Sequence, residues 1–105
     1  MALRSITFKD DAALQKCLLQ DSAHVAPGSA GPHVARIQSA LLLLDQARIS
    51  PAELYSKHYG KTTTAAVLAY KRKRKIINFS YQSQADNIVG KITIARMDKD
   101  ILAVE

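Results

Sequence analysis

The chain has 105 residues, one cysteine (Cys17) and a formal charge of +6 from 15 Lys and Arg against 9 Asp and Glu. That length is one domain, able to bury about 65% of its unfolded surface, and a lone cysteine excludes an internal disulfide. At 48% hydrophobic and 23% charged the composition is globular, not that of a disordered tail, and apolar runs such as 40–44 are far too short to span a membrane.

Residues 1–9 read as an irregular or briefly extended lead-in, Ile6-Thr7-Phe8, with Phe8 as its anchor. No apolar stretch of signal-peptide length precedes the charges at Lys9, Asp10 and Asp11, so no Sec-type signal is visible. From Asp10 the pattern turns helical: Asp10 or Asp11 can cap, and Ala13, Leu14, Cys17 and Leu18 recur at three and four until the helix fades near Gln20. Ala26-Pro27-Gly28-Ser29-Ala30-Gly31-Pro32 marks a loop, and Pro32 suits the first turn of the next helix. In that helix Val34, Ile37, Leu41 and Leu44 recur at helical spacing, Ala40 and Leu43 widen the stripe, and Arg36, Gln38 and Asp45 fall largely on other faces. A helix this apolar is expected at the centre of the core.

Ser50-Pro51-Ala52-Glu53 spells a capping box and predicts a short turn of helix through Leu54 or Tyr55. Gly60 breaks the chain; Thr62 or Thr63 can cap the following helix, which carries Ala66, Val67 and Tyr70 inward. Lys71, Arg72, Lys73, Arg74 and Lys75 fall in its last one or two turns, where the helix dipole favours cations. Without these five, ten basic residues stand against nine acidic ones, a net of +1. The body is therefore nearly neutral, and any argument for a polyanionic partner runs through this run. Residues 76–85 lack a helical period and read as a short hairpin arm or a packed loop, and Asp86-Asn87 reads as a turn. The last helix starts near Thr93 and buries Ile94, Met97 and Ile101; no Gly or Pro marks its end, as in a tail or at the edge of a longer protein.

Two segments thirty residues apart share a spelling, Tyr59-Gly60-Lys61-Thr62-Thr63 and Val89-Gly90-Lys91-Ile92-Thr93. Each offers a bulky anchor, a Gly expected to take a backbone shape closed to other residues, and a Thr expected to cap. With Gly31, Val34, Ile37-Gln38 and Leu41 ahead of them, Ala66-Val67 and Tyr70 between, and Asp86-Asn87 before the second, the chain resembles the small helical peptidoglycan-binding domain of bacterial wall hydrolases. The resemblance spans residues 28–98. Lys71 stands where that family has Gln, Asn87 where it has Gly, and the stretches 45–58 and 76–85 are longer than in its compact members.

The resemblance implies an all-α fold, a compact three-helix bundle (28–105) with an extra N-terminal segment and helix (1–27) packed on it and a short helical turn. It implies a non-catalytic module that binds peptidoglycan, through the stem peptide or the glycan, and targets a larger exported wall-active protein or injected effector to the periplasm or extracellular wall. Any catalytic activity then lies outside this chain, and no cofactor or metal is expected. Such a binder needs cations for carboxylates, aromatic rings for sugar faces and helix starts for anions. The residues that fit are Tyr59, Lys61, Thr62, Tyr70, Asn87, Lys91 and Thr93, lining a shallow groove. Turn anchoring and core packing are the competing readings of Tyr59 and Tyr70.

Other signals are weak. Gly60-Lys61-Thr62 resembles the end of a P-loop, but Tyr55 occupies the required upstream Gly position. Asn78-Phe79-Ser80 is a chance glycosylation spelling. His24, His33 and His58 share no helix face, Cys17 reads as a small core residue, and Asp45 and Glu53 read as solvated acids with nothing to select them. The basic run reads as a solvated helix end, as attraction to anionic wall polymer or, with least support, as a nucleic-acid contact; no reader motif accompanies it, and consecutive helical residues point all round the helix. A different class of function is a protein-interaction adaptor for a secretion or phage-tail component, using 45–58 and 76–85 as its contact surface.

Overall fold

A computed structural model describes residues 2–76 and 88–105, and the described chain is all-α. The elements in order are α1 (Ala12–Leu19), a single 3-10 turn (Asp21–Ala23), α2 (Pro32–Asp45), α3 (Pro51–Ser56), α4 (Lys61–Arg74) and α5 (Lys91–Val104). The predicted arm or loop at 76–85 and the turn at Asp86-Asn87 fall on residues 77–87, outside the described residues, apart from Ile76, which is buried.

α2 begins as its sequence predicts, with Pro32 at N1. Its N-cap is Gly31 at φ 132°, a conformation that side chains with a Cβ rarely adopt. Val34, Ile37, Ala40 and Leu41 are fully buried. Two residues differ from the predicted stripe. Gln38 is in the core, 1% exposed, and Leu43 is 59% exposed. Gln38 is admitted because its amide nitrogen finds acceptors there: it donates to the His58 carbonyl at 3.1 Å and the Thr63 hydroxyl at 3.0 Å. α2 packs on α4 and α5, and α1 packs on α5.

The N-terminal segment shares this core. Leu3, Phe8, Leu14 and Cys17 lie in one cluster with Ile37, Leu41, Val67, Ile94 and Ile101. The lead-in forms turns and is tied to α5 by carboxylates. Asp98 accepts the backbone N–H groups of Arg4 and Ser5, and Glu105 accepts those of Ile6 and Thr7. Asp11 caps α1 as expected, accepting the Leu14 N–H at 3.1 Å, and pairs with Arg36 Nε at 3.2 Å.

α4 and α5 are both 14 residues long and start alike, after Gly60 (φ −98°, ψ −159°) and Gly90 (φ −104°, ψ −164°). The shared spelling thus marks two equivalent corners, but for a different reason than the sequence suggests. Neither glycine is in the left-handed region, and no Thr side chain caps either helix. The anchors Tyr59 and Val89 are fully buried, and one loop holds both: Val25 exchanges two backbone hydrogen bonds with Val89, while Gly28 N–H donates to the Tyr59 carbonyl and Tyr59 N–H to that of Ser29.

Candidate functional site

The start of α4 is organised by a side chain from α3. In a capping box Glu53 would take the Ser50 N–H; instead Ser50 N–H donates to the Thr62 hydroxyl at 2.9 Å, and Glu53 reaches across to α4. Its two oxygens accept the N–H groups of Gly60, Thr62 and Thr63 at 3.1, 2.9 and 2.9 Å and the hydroxyls of Thr62 and Thr63. A carboxylate on the free N–H groups of a helix start satisfies those donors and meets the positive end of the dipole. Partial desolvation opposes the charge, but hydrogen bonds from both threonines outweigh it and hold the carboxyl down at about 2. Glu53 is therefore no solvated acid. It also explains Gly60, where a Cβ would sit 2.8 Å from the Glu53 carboxyl carbon; at Gly90 a Cβ would meet nothing within 4 Å.

The basic run is divided by the fold. Lys71 is 5% exposed, and its Nζ donates to the Ile88 carbonyl at 2.9 Å. Arg74 gives two hydrogen bonds to Asp45, at 3.0 and 3.2 Å, and one to Asp100 at 2.9 Å, with its guanidinium 3.8 Å from the Tyr70 ring centroid. Burial works against the Arg74 charge, but Asp45, Tyr70 and Asp100 more than offset it and raise its pKa. Tyr70 donates to Asp100 at 2.8 Å; burial and then this bond push the phenol pKa up. Burial pushes the Asp100 carboxyl the other way, yet the hydrogen bonds from Tyr70, Arg96 and Arg74 lower it overall. Arg72, Lys73 and Lys75 remain exposed.

Along one side of α4 runs a cleft of about 370 Å³. Thr62, Ala65, Ala66, Ala69 and Lys73 lie on one helical face, and three small side chains in a row leave room against the chain that leaves α2. Ala47, Asp45 and Arg48 complete its lining. Asp45 is 11% exposed and pairs with both Arg74, at 3.0 Å, and Lys73, at 3.7 Å; Lys73 itself is 67% exposed. Arg48 is exposed. The cleft thus combines alanine methyls with two basic side chains, Arg48 and Lys73, and one acidic one, Asp45.

Of the residues expected to line a groove, only Thr62 lies in this cleft. Tyr59 and Tyr70 are fully buried and Thr93 is 2% exposed, so all three are core residues and the rings offer no face to a ligand. Lys61 and Lys91 are exposed at the first positions of α4 and α5. Asn87 lies outside the described residues. Sequence reasoning set Asp45 aside as a solvated acid and missed Arg48 and the alanine face; Ala65, Ala66 and Ala69 at i+3, i+4 and i+7 from Thr62 were the available signal. Among the described residues no three His, Cys, Asp or Glu side chains are grouped to hold a metal ion, and no helix is long and apolar enough to cross a membrane. Comparison with protein families, with curated proteins and with solved structures gives no match to this chain in any of the three.

Proposed function

We propose that this chain is a non-catalytic module that binds bacterial cell-wall peptidoglycan, of the helical wall-binding family its spelling resembles, and that it directs a larger exported protein to the wall. The observation that carries this reading is the α4 cleft, with its alanine methyls and the basic side chains of Arg48 and Lys73, in the middle of the segment that bears the resemblance. Wall polymer presents carboxylates and small side chains along its peptides, which match such a surface. The cap that Glu53 places on α4 supports it further, because it ties down Thr62, which lines the cleft, and an ordered lining reduces the ordering cost of binding. A cleft this open binds weakly. Retention at the wall then comes from many equivalent sites on the polymer and from the high local concentration that targeting gives an attached partner.

Co-sedimentation with purified sacculi tests the proposal. The protein should pellet with sacculi at low salt, and an Arg48→Ala, Ala69→Leu double variant with an unchanged melting curve should stay in solution. Absence of pelleting by the unaltered protein, or equal pelleting by the double variant, refutes it.

A further inference from the structure

We infer that the α4 cleft takes the peptide arm of the wall polymer, a short chain of small residues ending in a free carboxylate, and not its glycan; this rests on the wall-binding reading above. The lining argues for it first. Sugar faces are held by exposed aromatic rings. Among the described residues Phe8, Tyr59 and Tyr70 are fully buried, and Tyr55, at 93% exposure, is not part of the cleft. What the cleft offers instead is methyl groups, from Ala65, Ala66 and Ala69, against which an alanine-sized side chain packs while a pyranose ring finds no flat partner among the described residues.

The charged side chains argue for the carboxylate. Asp45 receives two hydrogen bonds from Arg74, so its charge is met from inside the protein. Lys73 also reaches Asp45, at 3.7 Å, and the exposed Arg48 lines the cleft beside this pair. A planar guanidinium at Arg48 matches a carboxylate with two parallel hydrogen bonds, and Lys73, 67% exposed, adds a second cation. Size agrees: about 370 Å³ lies at the small end of ligand sites, which run from roughly 300 to 1,000 Å³, and suits two or three small residues better than an extended sugar chain.

The test uses the whole chain labelled with nitrogen-15, probed with trialanine acid in its L and D forms, with the matching C-terminal amides and with the tetramer of N-acetylglucosamine, beside sacculus pelleting. Expected are saturable amide shifts at Ala65, Ala66 and Ala69 with one of the acids. The matching amide, or an Arg48→Ala variant, should bind about tenfold more weakly. The sugar tetramer should leave the cleft unmoved. Ala69→Leu should abolish the acid response while circular dichroism and melting stay unchanged. Sacculus pelleting with a cleft that answers the sugar and not the acids overturns the peptide assignment and leaves wall binding standing. Equal affinity for acid and amide also overturns it. No pelleting and no shift with any probe overturns both readings.

Discussion

Glu53 Oε1 accepts the Thr63 N–H at 2.9 Å, although the two residues sit on different helices ten positions apart. The bond makes α3 the cap of α4, and the same carboxylate ties down Thr62 in the lining of the cleft.

Glu53→Gln should lower stability by about 1–2 kcal/mol, the cost of losing a good helix cap, as read from urea melts. The pH dependence has a definite sign. The carboxyl is held at about 2 in the folded state against an ordinary value of 4.5. The stabilisation is therefore complete above about pH 5 and is lost as pH falls through 4.5 towards 2. The Gln variant should lose this acid limb, so the two stability curves converge near pH 2.

The paired corners respond differently to the same change. Gly60→Ala drives a methyl to within 2.8 Å of the Glu53 carboxyl carbon, which five hydrogen bonds hold in place. It should cost about 1–2 kcal/mol and return the Glu53 titration towards its ordinary range. Gly90→Ala meets no atom at a φ open to any residue, and should be neutral or stabilising by up to about 1 kcal/mol. Thermal melts of the two variants decide the matter.

In the basic run, position decides the effect of neutralisation. Arg74→Ala strips Asp45 and Asp100 of their shared partner and should cost about 1.5–3 kcal/mol, with Arg74→Lys failing to restore it because the ammonium cannot reproduce the fork. Arg72→Ala, on an exposed residue, should change stability by less than about 0.5 kcal/mol. Equal losses from both sites would mean the Arg74 network adds nothing.

Three helices end on a left-handed residue that is not glycine: Gln46 after α2, Lys57 after α3 and Lys75 after α4, with φ of 51°, 55° and 56°. Changing Gln46 or Lys57 to Gly should raise the melting point, each by roughly 0.5–1 kcal/mol of stability, because Gly takes this conformation without the Cβ cost.

Cys17 is fully buried, and burial pushes its thiol up to about 11 against the Val25 backbone hydrogen bond. Thiol-reactive reagents at pH 7.5 should leave the native protein unmodified and react in step with unfolding by urea. Rapid labelling of the native chain would contradict this burial.

Elements governed by nearest neighbours were legible in the sequence. Asp11 as a cap, Pro32 and Pro51 at helix starts, and the inward positions of Val67, Ile94, Met97 and Ile101 follow from local spacing and capping chemistry. What was not legible depends on distant partners. Nothing in Ser50-Pro51-Ala52-Glu53 says that the carboxylate will turn to a helix start eight residues on. Lys71 and Arg74 look like their neighbours in the run until α5, the end of α2 and the chain just before α5 supply Asp100, Asp45 and the Ile88 carbonyl. The candidate site was missed for a related reason: alanines carry little signal by what they are, and only the gap they leave against a neighbouring segment gives them meaning. Tyr59 and Tyr70 gave the reverse case, since an aromatic residue spells a core position and a sugar platform alike.

The loop that joins Val25 to Val89 and Gly28 to Tyr59 has a dynamic corollary. Amide hydrogens at Val25 and Val89 on one corner, and at Gly28 and Tyr59 on the other, are shielded by one strap of chain. They should exchange with solvent at a common rate set by a single opening event, so that cutting or lengthening the strap between residues 25 and 29 loosens the starts of α4 and α5 together.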